Sequence, residues 1–297
     1  MGRYIDHKKR INLFRLDRFN TKGRFKPNRK DELSTPIFTD ADAQAYWDAL
    51  TVANGDVEVS GALYGLSSTA ALKSAIDKMF VDLKVDGTYT QISKLHLVIG
   101  GTAATHAIEA KSALTELSFV GAPSHNASGV LLNGSSQYII GGFDPGSEAA
   151  LNDVHFSSFY SGNTVAACGM LQSGGKKSYY GIVQSGIEQY LIGDTAAENV
   201  TGLAADPLKF YTYSRININR VDLYEDGVSI GNSVVASTAD GFANLSWVFG
   251  GVNFNGSGVL FLVDGYFKAG TYGYNLSAAQ ALTLSNAINS LNTNLSR

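Results

Sequence analysis

The 297-residue sequence has a single cysteine, Cys168, which excludes a disulfide framework and any cysteine-based metal cluster. Charged residues make up only 16%, against about 25% for an average soluble domain, which argues against a coiled coil or a long helical bundle. No run approaches 18 apolar residues, so no membrane-spanning helix is expected. The first residues lack an apolar core and a cleavage site, and no secretory signal is read there. What the chain does have is 32 glycines, 15 tyrosines and 15 phenylalanines in a 44% apolar composition. That profile suits many short strands joined by glycine-containing turns around a substantial core.

The net charge of −3 hides two unlike parts. Residues 1–30 carry a net charge of +9, and the remaining 267 residues a net of −12. Within the basic arm, Lys8, Lys9, Arg10, Arg15, Arg18, Arg24 and Lys26 are interleaved with Phe14, Phe19 and Phe25. These aromatics fit neither a helix face nor a strand face, so the arm cannot bury itself and should order only against something else. Docking onto acidic protein surfaces is the expected role. Nucleic acid is an alternative that nothing downstream supports, and a solvated tail is the bland one.

After Pro36 the periodicity becomes helical. Thr39–Asp42 reads as a capping signal, followed by Ala43, Tyr46, Trp47 and Leu50 on one face. A second helix opens at Ser67/Ser68, with Leu72, Ile76, Phe80 and Leu83 as its stripe and Asp86-Gly87 as its stop. Lys94 to Ile99 then alternates as a strand. From about residue 105 the period is 2, in some eleven short runs rich in Val, Ile, Tyr and Phe and bounded by Gly, Asn, Ser or Asp. The clearest hairpin is Val221–Ile230, turning at Asp226-Gly227. A capping box at Ser277/Gln280 opens a last helix with the stripe Leu284, Ile288, Leu291 and Leu295. The expected fold is mainly β, an antiparallel two-sheet jelly-roll sandwich. The expected divisions are a basic arm (1–33), a helical lead-in (34–101), the sandwich (102–275) and a C-terminal helix packed on it (276–297).

The order of several phrases carries a resemblance. Asn126–Tyr138 (NASGVLLNGSSQY), Asn152–Tyr160 (NDVHFSSFY), Leu223–Gly227 (LYEDG) and the ending from Gly273 through Ser277 to Arg297 are similar to concanavalin A/laminin-G-like jelly-roll structural proteins of tailed bacteriophages. The resemblance covers roughly residues 40–297, and the arm lies outside it. It implies a virion structural protein with an exposed, potentially glycan-binding sandwich. With the charge division, the expected role is a non-enzymatic capsid- or tail-associated component anchored on other virion proteins by its arm, and the need to cover sandwich edges points to an oligomer. A receptor- or glycan-binding lectin-like tail protein is the alternative.

Catalytic signals are weak. Asp222, Glu225 and Asp226 are the nearest approach to a glycosidase carboxylate set, but Asp222 and Glu225 should face opposite sides of a strand. Gly227-Val-Ser-Ile-Gly231 matches a hydrolase elbow in letters only, since Ser229 falls inside a strand. His96, His106, His125 and His155 have no local zinc spacing. No catalytic residue and no obligatory cofactor are therefore assigned. Calcium remains a weak candidate through Asp144, Asp153, Asp194 and Asp264 at strand ends. Tyr179, Tyr180, Tyr190 and Trp247 are the candidate glycan platform, with core packing as the competing role for each.

Overall fold

The computed structural model describes residues 38–161, 168–171, 177–184, 187–192, 198–201, 209–234, 242, 244–260 and 262–297. Residues 36–297 form one compact unit, and the basic arm lies outside the described residues. The chain enters helix α1 (Ala41–Ala53) through a polar clamp. The half-turned carboxylate of Asp77 accepts from the backbone N–H groups of Thr39 and Asp40 and from the Thr39 hydroxyl. Asp40, one residue later than the sequence reading placed the cap, accepts from the N–H groups of Asp42 and Ala43. That satisfies donors the first turn would otherwise leave open. Helix α2 (Thr69–Val85), capped by Ser68, ends at Asp86, and Gly87 follows in the left-handed region. The expected stripes of both helices are buried.

A short helix α3 (Thr88–Gln91) leads into strand β1 (Ile92–His96) and then α4 (Ala103–His106). Next come β2 (Ser118–Val120), β3 (Ser124–Asn126), β4 (Gly129–Asn133), β5 (Tyr138–Ile140), helix α5 (Pro145–Glu148) and β6 (Val154–Ser161). Strands β7 (Cys168–Leu171), β8 (Lys177–Gln184), β9 (Ile187–Ile192) and β10 (Glu198–Thr201) follow. After them run β11 (Phe210–Asn217), β12 (Arg220–Glu225), β13 (Val228–Ser233), β14 (Val248–Phe249), β15 (Gly251–Phe254), β16 (Gly258–Leu260) and β17 (Asp264–Gly273). Helix α6 (Ala278–Asn294) closes the chain, its Ser277/Gln280 capping box formed reciprocally as expected.

The strands make two sheets. One has the order β13-β12-β11-β6-β17-β4-β3, with β1 also beside β17, so a strand of the segment 34–101 belongs to it. The other runs β10-β9-β8-β7-β14-β5-β2, with β15 beside β7 and β16 beside β15. The jelly-roll-like sandwich is thus present, but not purely antiparallel, because β15 runs parallel to β7. The chain reaches β15 by bending at Gly250, with φ of +81°, instead of by a hairpin. Two tight hairpins do use the expected chemistry: Asp226-Gly227 and Asn255-Gly256 both have positive φ at both central positions.

Between the sheets lies an aromatic core. Trp247 stacks on Phe156 at 4.0 Å and 2°, and Phe143 stacks on Tyr272 at 4.0 Å and 4°. Cys168 is fully buried there as a small apolar residue, its sulfur 3.1 Å from the Tyr160 hydroxyl. A second core fills the other side of the eight-stranded sheet. Tyr46, Leu50, Ile76, Phe80, Leu284, Ile288 and Leu291 of α1, α2 and α6 meet Phe159, Phe210 and Tyr224 of β6, β11 and β12. The unit of residues 36–297 therefore has three layers, helices on sheet on sheet, and β6 is buried along seven of its eight residues.

Candidate functional site

The helices close one face of the eight-stranded sheet, and the sandwich core closes the other. No described residue of the nine-stranded sheet belongs to the helical core. Its outward positions are therefore where a shallow site can form. A groove of about 270 Å³ lies there, at Tyr138 and Ile140 of β5, Ser246, Val248 of β14, Asn253 of β15 and Ser257 of the following turn. Local sequence explains its shape. The Asn255-Gly256 turn lets β16 fold back on β15, with the Ser257 N–H donating to the Phe254 carbonyl at 2.9 Å. Asn253 Nδ2 donates to the Ser246 carbonyl at 2.9 Å, which fixes the amide and leaves its oxygen as an acceptor toward the groove. Tyr138 is half-buried, and its hydroxyl makes no hydrogen bond among the described residues. One amphipathic ring, one oriented amide and two serines are the elements of a sugar-binding surface: a ring for C–H faces and short polar groups for hydroxyls.

The sequence candidates distribute unevenly around this groove. Trp247 is not a platform. It is 1% exposed in the sandwich core between Phe143 and Phe156. Tyr179 sits in a register row with Gly169, Val248 and Ile140, two of which line the groove. Tyr180 shares the row of Cys168, Phe249 and Ile139, which are core residues. Tyr190 pairs with Glu198 across β9 and β10. The side chains of all three tyrosines lie outside the described residues. Tyr138 and Asn253 were not singled out as site residues. Tyr138 stands inside the phrase Asn126–Tyr138, and Asn253 sits two residues before Asn255-Gly256, an Asn-Gly pair of the kind that favours a hairpin turn.

The remaining chemical candidates have structural occupations. Asp144 caps α5 by accepting from the Gly146 N–H, and Asp153 accepts from the Asn275 N–H and side-chain amide. Asp264 begins β17, and Asp194 lies outside the described residues. Among the described residues, no three His, Cys, Asp or Glu side chains gather as a metal ion requires. Asp222 binds Arg220 Nε at 2.6 Å, whereas Glu225 accepts from the Tyr211 hydroxyl on the opposite side of β12. The two carboxylates face apart as the strand period requires. Ser229 lies within β13, away from any elbow.

Two histidines separated by nineteen residues do meet. His106 Nε2 accepts from the Gly101 N–H at 3.0 Å, so its proton sits on Nδ1 and is donated to His125 Nδ1, 3.0 Å away. Burial lowers the pKa of both rings, that of His106 well below the usual histidine range. The pair is a neutral structural clasp, with the His125 ring edge-on to Phe119.

No family model matches the sequence, and no curated protein matches it. Among solved structures, the chain is similar to domain 4 of AbnA, a GH43 extracellular arabinanase from Geobacillus stearothermophilus, in complex with arabinotriose. The identity is 14%, the match covers 66% of this chain and 98% of that one, and the TM-score is 0.49. A botulinum neurotoxin type C structure, whose cell entry is described as dependent on interaction with two ganglioside molecules, gives 10% identity and a TM-score of 0.51. That match covers 69% of this chain and 53% of the other. The binding domain of botulinum neurotoxin serotype D gives 10% identity and a TM-score of 0.46, over 66% and 51%. The chain spans about half the length of these neurotoxin structures. The likeness shows the β-sandwich fold.

Proposed function

We propose that this protein is a non-enzymatic glycan-binding module whose sandwich presents the groove at Tyr138 to a saccharide. The observation that carries the reading is the groove itself. It is shallow, lies on the sheet that the helices leave uncovered, and joins an aromatic ring with an unused hydroxyl to an oriented asparagine amide. No described carboxylate lines it, which suits retention of a sugar and not cleavage of one. That a neurotoxin of this fold enters cells in dependence on gangliosides is consistent with such a use of the scaffold. The test is a glycan array probed with the intact protein: binding to a restricted set of saccharides supports the reading, and no binding across the array contradicts it.

A second reading concerns where the module works, and the charge division favours it. An arm of net +9 on a body of net −12 is suited to tethering the module to an acidic surface in a larger assembly, such as a virion. Together with the phage-like phrases, this makes a capsid- or tail-associated component the proposed setting. Deleting residues 1–33 should then leave a folded protein that no longer joins particles. Unchanged incorporation of the shortened chain would remove this reading while leaving glycan binding intact.

A further inference from the structure

The end of α6, the start of β11 and the β12–β13 turn line an open cavity of about 380 Å³ on the helical side of the eight-stranded sheet. Its walls include Phe159, Lys209, Asp226, Asn289, Thr293 and Arg297. The carboxylate is already committed. Asp226 Oδ2 is 2.9 Å from Lys209 Nζ, and Oδ1 accepts from Asn289 Nδ2 and the Phe210 N–H. Arg297 is held only by neutral acceptors. Its Nε donates to Asn292 Oδ1 at 2.7 Å, and Nη1 and Nη2 donate to the Val98 and Leu97 carbonyls at 2.9 and 2.7 Å. Those bonds fix the guanidinium without neutralising it.

Beside this wall stands a second cation. Lys268 is the extra residue of a β-bulge in β17, where Phe267 pairs with Tyr160 and Ala269 with Phe159. Bulges re-aim a side chain out of the sheet's alternation. Lys268 is 6% exposed, and its ammonium lies 5.0 Å from the centre of the Phe159 ring, a wall of the cavity. Its ammonium makes no hydrogen bond or ion pair among the described residues. Burial and the neighbouring Arg297 hold its pKa down at about 8. An unpaired, buried ammonium opposes folding, and a methionine would cover Phe159 equally well.

We infer that this cavity binds a small ligand through an oxyanion group, a carboxylate or a phosphate, received by the Lys268 ammonium and the fixed charge of Arg297. The hydroxyl of Thr293 supplies a further donor at the rim, and Phe159 offers an apolar surface to the rest of the ligand. The site is separate from the groove at Tyr138, so its success or failure is independent of glycan binding there.

The test is calorimetric titration of the intact protein, in low-chloride buffer near pH 7, with inorganic phosphate, D-glucuronate and D-glucose. At least one of the two anions should bind and the neutral sugar should not, and the tighter anion identifies the ligand's chemistry. Lys268→Met should weaken that binding at least tenfold. Saturating the unaltered protein with the bound anion should move the Lys268 ammonium titration upward, read by NMR at its side chain. Binding of neither anion, equal binding of glucose and glucuronate, or unchanged affinity in Lys268→Met would overturn the inference. If that variant does not fold, the titration of Lys268 in the unaltered protein decides, and an unmoved ammonium overturns it.

Discussion

The eight-stranded sheet is covered on both faces, whereas the nine-stranded sheet contributes its described apolar residues to the sandwich core alone. The difference shows in how each treats polar side chains. On the helical face of the first sheet, several hydroxyls and an imidazole are buried and matched. The hydroxyls of Ser157 and Thr212 meet at 2.9 Å across β6 and β11, Ser214 accepts from the Leu276 N–H at 2.7 Å, and His155 bonds Thr271. On the second sheet, the groove residues keep unused polar atoms: the Tyr138 hydroxyl and the Asn253 oxygen. Matched polar groups specify packing, and unmatched ones at a surface are free to recognise something else.

The sharpest way to break this comparison is at Trp247, for which the sequence left surface and core roles both open. Trp247→Ala should cost about 3–5 kcal/mol, because it removes the centre of an aromatic stack. A stable variant in urea unfolding, lacking only ligand binding, would return Trp247 to the surface. Next in size, Leu284→Ala in α6 should cost about 2–5 kcal/mol. Because the two cores share the strands β6, β11, β12 and β17, the loss should appear as one earlier transition by far- and near-ultraviolet circular dichroism alike. Separate melting of the helices, with the sandwich transition in place, would split the covered sheet from its cover.

Acid should act mainly on the covered side. His96 and His155 are fully buried, and burial lowers both to about 4. The unfolded chain takes up these protons first. The neutral rings' contribution is therefore complete above about pH 6.5 and is lost as pH falls toward 4, at about 2 kcal/mol for each by pH 4.5. A urea midpoint that does not move between pH 7 and pH 4.5 would show these rings to be hydrated. The smallest effect on stability belongs to the open groove: Asn253→Ala should change unfolding by about 0.5–1 kcal/mol while weakening saccharide binding, as calorimetry would show.

How much of this was legible followed from range along the chain. The stripes Leu72–Leu83 and Leu284–Leu295, the Ser277 cap and the Asp226-Gly227 turn depend on neighbours within a few residues, and they formed as read. The burial of Ser157, Thr212 and His155 was not legible. In β6 and β11 they alternate with apolar or aromatic residues just as a solvated face would, and only distant helices make that face dry. For Trp247 the sequence left platform and core both open, since one aromatic in a short run carries no mark of which face it takes, and the structure gives it the core role. The parallel placement of β15, the His106–His125 clasp and the Lys268 bulge depend on pairings that no local pattern encodes. For the groove, neither the Asn255-Gly256 turn nor its union with Tyr138, 117 residues earlier, was read from the sequence.

The central claim is that the uncovered sheet face binds a saccharide through Tyr138. It is tested most directly by comparing the intact protein and Tyr138→Ala on the same glycan array, with thermal unfolding of both. The account predicts a restricted set of saccharides bound by the intact protein, at least tenfold weaker binding by the variant, and closely similar unfolding. Equal binding by the two proteins would contradict it.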